Sequence, residues 1–246
     1  MDVIFYLIPL SFIMGLVNSI AGGGGVLGVP AMLALGMPPV NALALNRVSD
    51  LGNIVGSLKN YINVEGFDKK LGLIAIPPIL IGALVGANFV VGLAEDVLNQ
   101  LVLGAVLIGI VFLVLPFKPK KADADPKIVI GVIGLLALGF WDGAFAMAGC
   151  TFGVLIFVML FNKSYLSAKS IMTFAAIPET IISASILLMY SDVSIEHGVM
   201  MFIAGALGAY IGSKYAIKKG SVFIRYAMAV MACVMVLKIL IFDIIV

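Results

Sequence analysis

Apolar residues in this chain run in long blocks rather than at alternate positions. Ten blocks can be read, at roughly 4–20, 26–37, 39–58, 71–92, 97–117, 127–147, 149–162, 165–189, 195–217 and 222–242. Most approach the ~20 residues that carry a helix across a bilayer core. Such runs predict an all-α polytopic membrane protein, because a chain in lipid must satisfy its own backbone polar groups. Two blocks are short: 26–37 has 12 residues and 149–162 has 14. At 1.5 Å per residue they span about 18–21 Å, against a core of ~30 Å. Both are expected to be half-helices, and the block pattern alone leaves open ten crossings, six crossings with two re-entrant hairpins, or something between.

The first short block follows Gly22-Gly23-Gly24-Gly25. Four glycines make a poor helix interior. In lipid, such a break is tolerated only where it faces protein or a watery cavity. It reads either as a close helix crossing or as a place where a solute meets backbone N–H groups. A helix starting near Val26 would turn its positive end toward an anion there.

Composition agrees with the blocks. The chain is 63% hydrophobic and 11% charged, whereas a soluble domain carries ~25% charged residues. A net charge of +2 and the lack of a basic arm give no sign of nucleic-acid binding. Met1-Asp2-Val3 lacks the basic stretch of a signal peptide, so block 4–20 is expected to be a first membrane segment. One histidine and two isolated cysteines suggest no metal or haem site, no cofactor is implied, and no nucleophile–base pair suggests an enzyme. Cys150 reads as a small apolar filler.

Charge sets the expected orientation. Thirteen of the 15 basic residues fall in the connections around 59–70, 118–127, 163–169 and 214–225. Asp2, Glu95-Asp96, Asp192/Glu196 and Asp243 mark ends without basic neighbours. The positive-inside rule then places both termini outside a multi-pass protein of the cell (inner) membrane. The polar stretch 116–127 divides the blocks five and five, so the second half is expected to run inverted. The expected organisation is a first repeat at 1–117, a cytoplasmic linker at 118–126 and a second repeat at 127–246. Ile81-Gly-Ala-Leu-Val-Gly86 matches Leu207-Gly-Ala-Tyr-Ile-Gly212 at an offset of 126, and Asn18 matches Asp142 at 124. Inverted repeats with broken helices at their interface are a recurrent plan of secondary transporters.

Polar residues inside the blocks are candidates for the site. Block 39–58 carries Asn46, Arg47, Ser49, Asp50 and Asn53. Arg47 and Asp50 share a helix face and can pair. Arg47 suits an oxyanion, with Asn46 and Ser49 as donors, and Thr173 stands opposite it at the repeat offset. The competing reading is a structural ion pair. Asp142 is either a proton carrier or a helix cap. Glu179 follows Pro178 in mid-block with nothing basic within a helical turn, which makes it the leading proton-relay candidate, with Asp142 and Asp50 beside it. Lys169 lies close enough to the inner surface to snorkel.

Gly15-Leu-Val-Asn-Ser-Ile-Ala-Gly-Gly-Gly-Gly-Val-Leu-Gly-Val-Pro30, followed by Ala42-Leu-Ala-Leu-Asn46-Arg47, resembles the TauE/SafE family of transmembrane sulfite and organosulfur export permeases. Gly139-Phe-Trp-Asp-Gly143 is similar to that family's second signature, although Ala146, Ala148 and Cys150 stand where the family tends to have glycines or proline. The resemblance implies proton-linked movement of sulfite, a sulfonate or a related oxyanion. The substrate-binding set would be Gly22, Gly23, Gly24, Gly25, Asn46, Arg47, Ser49 and Thr173, with Glu179, Asp142 and Asp50 exchanging protons. The partners are then the anion, protons and the lipid bilayer, and a homo-oligomer is compatible. An anion channel and a non-transporting scaffold or accessory subunit are the alternatives.

Overall fold

The computed structural model describes residues 4–114 and 127–245; the expected linker 118–126 lies outside the described residues. Within them the elements are α1 (Ile4–Ala21), α2 (Gly24–Ala34), α3 (Pro39–Ile62), α4 (Lys69–Val91), α5 (Glu95–Val114), α6 (Ile128–Phe145), α7 (Gly149–Leu160), α8 (Tyr165–Ala175), α9 (Ile177–Met189) and α10 (Ile195–Ile245). No strand occurs among the described residues. Lys69–Val91, Ile128–Phe145 and Ile195–Ile224 are each long and apolar enough to cross a bilayer, and so is the bent pair α8–α9 when taken together, as a broken span or a re-entrant loop. Helix α3 is longer than two of these, but its polar face lowers its hydropathy.

Two expected blocks change form. Block 165–189 becomes α8 and α9, bent by 48°. Pro178 sits in the first turn of α9, where its missing N–H costs nothing and its ring blocks continuation of α8. Blocks 195–217 and 222–242 are joined in α10, which breaks at Gly220 with φ 76°.

Short helices fold back on long ones. Gly24 packs against Met14 and Asn18, and Gly28 against the Met14 side chain. Rising numbers on α2 thus meet falling numbers on α1, and the two form an antiparallel hairpin. Gly131 faces Phe161 and Gly134 faces Ile156, so α6 and α7 form a second one. The first turns at Gly22 and Gly23, both at φ 78°. The second turns at Ala146 (φ 53°) and Ala148 (φ 57°). Alanine in that region costs roughly 1–2 kcal/mol, and burial of both tips holds it there.

Two sets of helix contacts mirror one another. Helix α4 packs on α6 and α9, and α10 packs on α1 and α3. At one contact Gly82 lies against the backbone of Leu136 and Phe140; at the other Gly208 lies against that of Phe12 and Leu16. A methyl group at either glycine would strike a carbonyl. Small residues permit this approach where lipid gives no hydrophobic drive. The connections are tied at one end by Lys163, whose Nζ reaches Asp68 Oδ2 at 2.8 Å. Asp68 caps α4 by accepting from Leu71 N.

Candidate functional site

The hairpin tips meet each other. Gly22 is pressed against Thr151, and a methyl group at Gly25 would run into the carbonyl of Ala146. Thr151 Oγ1 donates to Ala21 O at 3.4 Å. Asn46, on α3, donates to Ala146 O at 2.6 Å. Beside this junction lies a polar cavity of about 50 Å³, lined from α1, α2, α3, α6, α7, α8 and α9.

Its centre is Arg47, only 1% exposed. Nη1 lies 3.3 Å from Asp142 Oδ2, 3.5 Å from Glu179 Oε1 and 3.9 Å from Asp50 Oδ2. Nη2 donates to the backbone carbonyl of Asp142. The Nε–H has no acceptor among the described residues. Each carboxylate is held by a different device. Asp50 accepts from Asn18 and Asn53 on one oxygen, both at 3.1 Å, and from Asn46 on the other at 3.2 Å. The Asp142 carboxylate lies against Gly149, the first residue of α7, where the helix end favours negative charge. Glu179 accepts from Thr180 Oγ1 at 2.9 Å, while its Oε2 has no partner among the described residues.

Lys169 also lines the cavity and is 3% exposed. Its Nζ donates to Asn18 O at 2.6 Å and sits 2.7 Å from Cys150 Sγ. Two cations therefore face three carboxylates in a space from which most solvent is excluded. Burying charges costs several kcal/mol per ion, and even a good pairing seldom adds net stability. A cluster of this kind inside an apolar bundle makes this cavity the candidate functional site. Among the described residues no group of His, Cys, Asp and Glu is arranged to hold a metal ion.

Residues 7–239 match the family described as "Sulfite exporter TauE/SafE". The chain belongs to the TauE/SafE family. Its relatives include the "Probable membrane transporter protein YfcA" of Escherichia coli (strain K12), 31% identical over 98% of this chain and 89% of that protein. The "Probable membrane transporter protein ORF9" of Sinorhizobium sp is 29% identical over 96% and 91%. A "Probable membrane transporter protein" of Haemophilus influenzae is 26% identical over 96% and 94%. Family and relatives together support a membrane transporter rather than an enzyme.

In this TauE/SafE chain the expected site residues separate into three groups. Gly25, Arg47, Asp50, Asp142, Thr173 and Glu179 line the cavity, and Asn46 bonds its rim. Gly22, Gly23 and Gly24 form the hairpin tip beside it. Ser49 is not among the lining residues. Its hydroxyl pairs with that of Ser11 at 2.7 Å, and Ser11 in turn donates to Met201 O, tying α3 to α1 and α10.

Several sequence expectations are corrected by tertiary contacts. Helix α2 begins at Gly24, not Val26, since its cap at Gly23 already has left-handed geometry. Glu179 is not isolated from basic groups, because Arg47 reaches it from α3. Lys169 does not snorkel: its ammonium turns inward to the end of α1. Cys150 is more than a filler, since it lines the cavity beside that ammonium. Asn18, Lys169 and Thr180 were missing from the expected set. The match of Asn18 to Asp142 at offset 124 was the signal available for the first.

Proposed function

We propose that this protein is a secondary transporter that carries a small oxyanion, sulfite first, across the cell membrane by alternating access. The two halves, 1–117 and 127–246, act as inverted repeats with both termini outside, and the anion binds between the hairpin tips. Reciprocal packing of α4 on α6 and α10 on α1 supports the inverted arrangement. One observation carries the function. The guanidinium of Arg47 is buried in the cavity with an Nε–H that has no acceptor among the described residues. An unsatisfied buried donor costs about 1–3 kcal/mol, and an oxyanion oxygen removes that cost.

The same geometry links anion and proton. Asp142 and Glu179 occupy the guanidinium edge that an oxyanion would take by a two-pronged contact. Protonation of either carboxylate releases Arg47 to the anion, so Asp50, Asp142 and Glu179 carry the coupling protons. Asn46 and Thr173 supply further polar contacts.

The test is counterflow of labelled sulfite in proteoliposomes, with taurine, sulfoacetate and sulfate as competitors. Sulfite should exchange, an imposed pH gradient should drive net uptake, and Arg47→Gln should abolish both. Glu179→Gln should uncouple flux from pH. Absence of flux for every oxyanion refutes the carrier; flux that never saturates points to a channel.

A further inference from the structure

The two cations of the cavity are engaged in a crossed pattern. Arg47, on α3 of the first half, donates through Nη2 to the Asp142 carbonyl, in the last turn of α6. Lys169, on α8 of the second half, donates to the Asn18 carbonyl, in the last turn of α1. Asn18 and Asp142 hold equivalent places in the two halves. Each carbonyl also accepts the N–H that closes its helix, from Gly22 at 3.0 Å and from Ala146 at 2.8 Å. Carbonyls at a helix end carry partial negative charge and attract cations. Each half thus sends one cation across to close the hairpin tip of the other.

Lys169 is the less expected member. It stands one helical turn before Thr173, the position opposite Arg47 at the repeat offset. Its two hydrogen-bond partners are the Asn18 carbonyl and the Cys150 sulfur. A buried ammonium whose hydrogen bonds go to a carbonyl and a thiol rather than to a carboxylate is costly to hold in place. Both cations rest on backbone acceptors, and both line the cavity where an anion would compete for them.

We propose that Lys169 is a positioning residue of the transport cycle, and that the Lys169–Asn18 and Arg47–Asp142 contacts are alternate latches. An anion that draws one cation off its carbonyl frees one hairpin tip while the other stays closed. Simultaneous opening, and with it a leak, is thereby avoided. The purpose of the latches rests on the transport reading; their existence can be tested without it.

The experiment is hydrogen–deuterium exchange on the full chain in lipid nanodiscs. Lys169→Met should raise exchange at residues 19–25 about tenfold or more, the loss expected for one charge-assisted hydrogen bond, and leave 143–149 near the wild-type rate. Arg47→Met should give the reverse. Lys169→Arg, which keeps a charged donor, should restore both protection and sulfite counterflow, which Lys169→Met lacks. Should the Met variant fail to fold, Lys169→Gln should show the same one-sided pattern at smaller amplitude. Unchanged protection at 19–25, or equal loosening of both tips, overturns the latches. A one-sided pattern in a protein that moves no oxyanion supports the latches and removes the carrier.

Discussion

Replacing Gly25 by Ala tests whether the two hairpin tips are in contact as described. The added methyl would run into Ala146 O and lie 3.0 Å from Asn46 Nδ2. Neither neighbour can yield freely. Ala146 is backbone at a turn, and Asn46 is bound to both Ala146 O and Asp50. Forcing extra volume into such a contact costs about 1–3 kcal/mol, and breaking the Asn46–Ala146 bond adds about 1 kcal/mol. A helical Gly→Ala change returns roughly 0.5–1 kcal/mol, so the net loss is about 1–3.5 kcal/mol. For a chain of this size that lowers the melting temperature by about 2–14 °C, at 2–4 °C per kcal/mol. Gly104→Ala is the control, because nothing lies within 4 Å of a methyl group there; it should melt at or slightly above wild type. Thermal unfolding can be followed by the one tryptophan of the sequence, Trp141, whose Nε1 donates to Met147 O at 2.9 Å within the second tip. If Gly25→Ala melts like Gly104→Ala and still exchanges sulfite, the tips do not meet in this way.

Tyr61→Phe removes the hydroxyl that donates to Ser19 O and leaves a carbonyl unpaired; it should cost about 1–3 kcal/mol, read as a lower melting temperature. The Lys163 ammonium and the Leu71 N–H hold the Asp68 carboxyl below its ordinary value. Its contribution to stability is therefore present above the unfolded value near 4 and fades as pH falls through the lower folded value. Because the pair is partly exposed, Asp68→Asn should cost no more than about 1 kcal/mol at neutral pH, and the difference from wild type should vanish in melts taken in strong acid. Ala148→Gly relieves about 1–2 kcal/mol of left-handed backbone cost but loses about 0.8 kcal/mol of methyl burial and some chain entropy. Its melting temperature should stay within a few degrees of wild type, and a collapse would mean that the turn depends on the methyl group.

The sequence alone determined the membrane class, most of the helical blocks and the break at the glycine run. These follow from hydropathy and backbone chemistry acting within a few residues: apolar blocks against lipid and Gly22–Gly25 at a turn, whereas the bend at Pro178 appears only in the folded helices. The polar face of block 39–58 was legible for the same reason, since a charge amid apolar neighbours is conspicuous whatever it touches. Family membership also rested on local motifs. Of the partners of Arg47, Asp50 was legible from helical spacing, but the other two were not. Asp142 and Glu179 are 95 and 132 residues away, and only the packing of α3 and α6 around α9 brings them to one guanidinium. Lys169 shows the same limit more sharply. Near the start of its block its local surroundings favour a reach toward water, yet the end of α1, 151 residues away, offers a carbonyl inside the protein. Ser49 is the converse case: it shares a helix with Arg47, but tertiary packing turns its hydroxyl to Ser11. Periodicity fixes which residues share a face; only the assembled bundle decides whether that face meets the cavity, another helix or lipid.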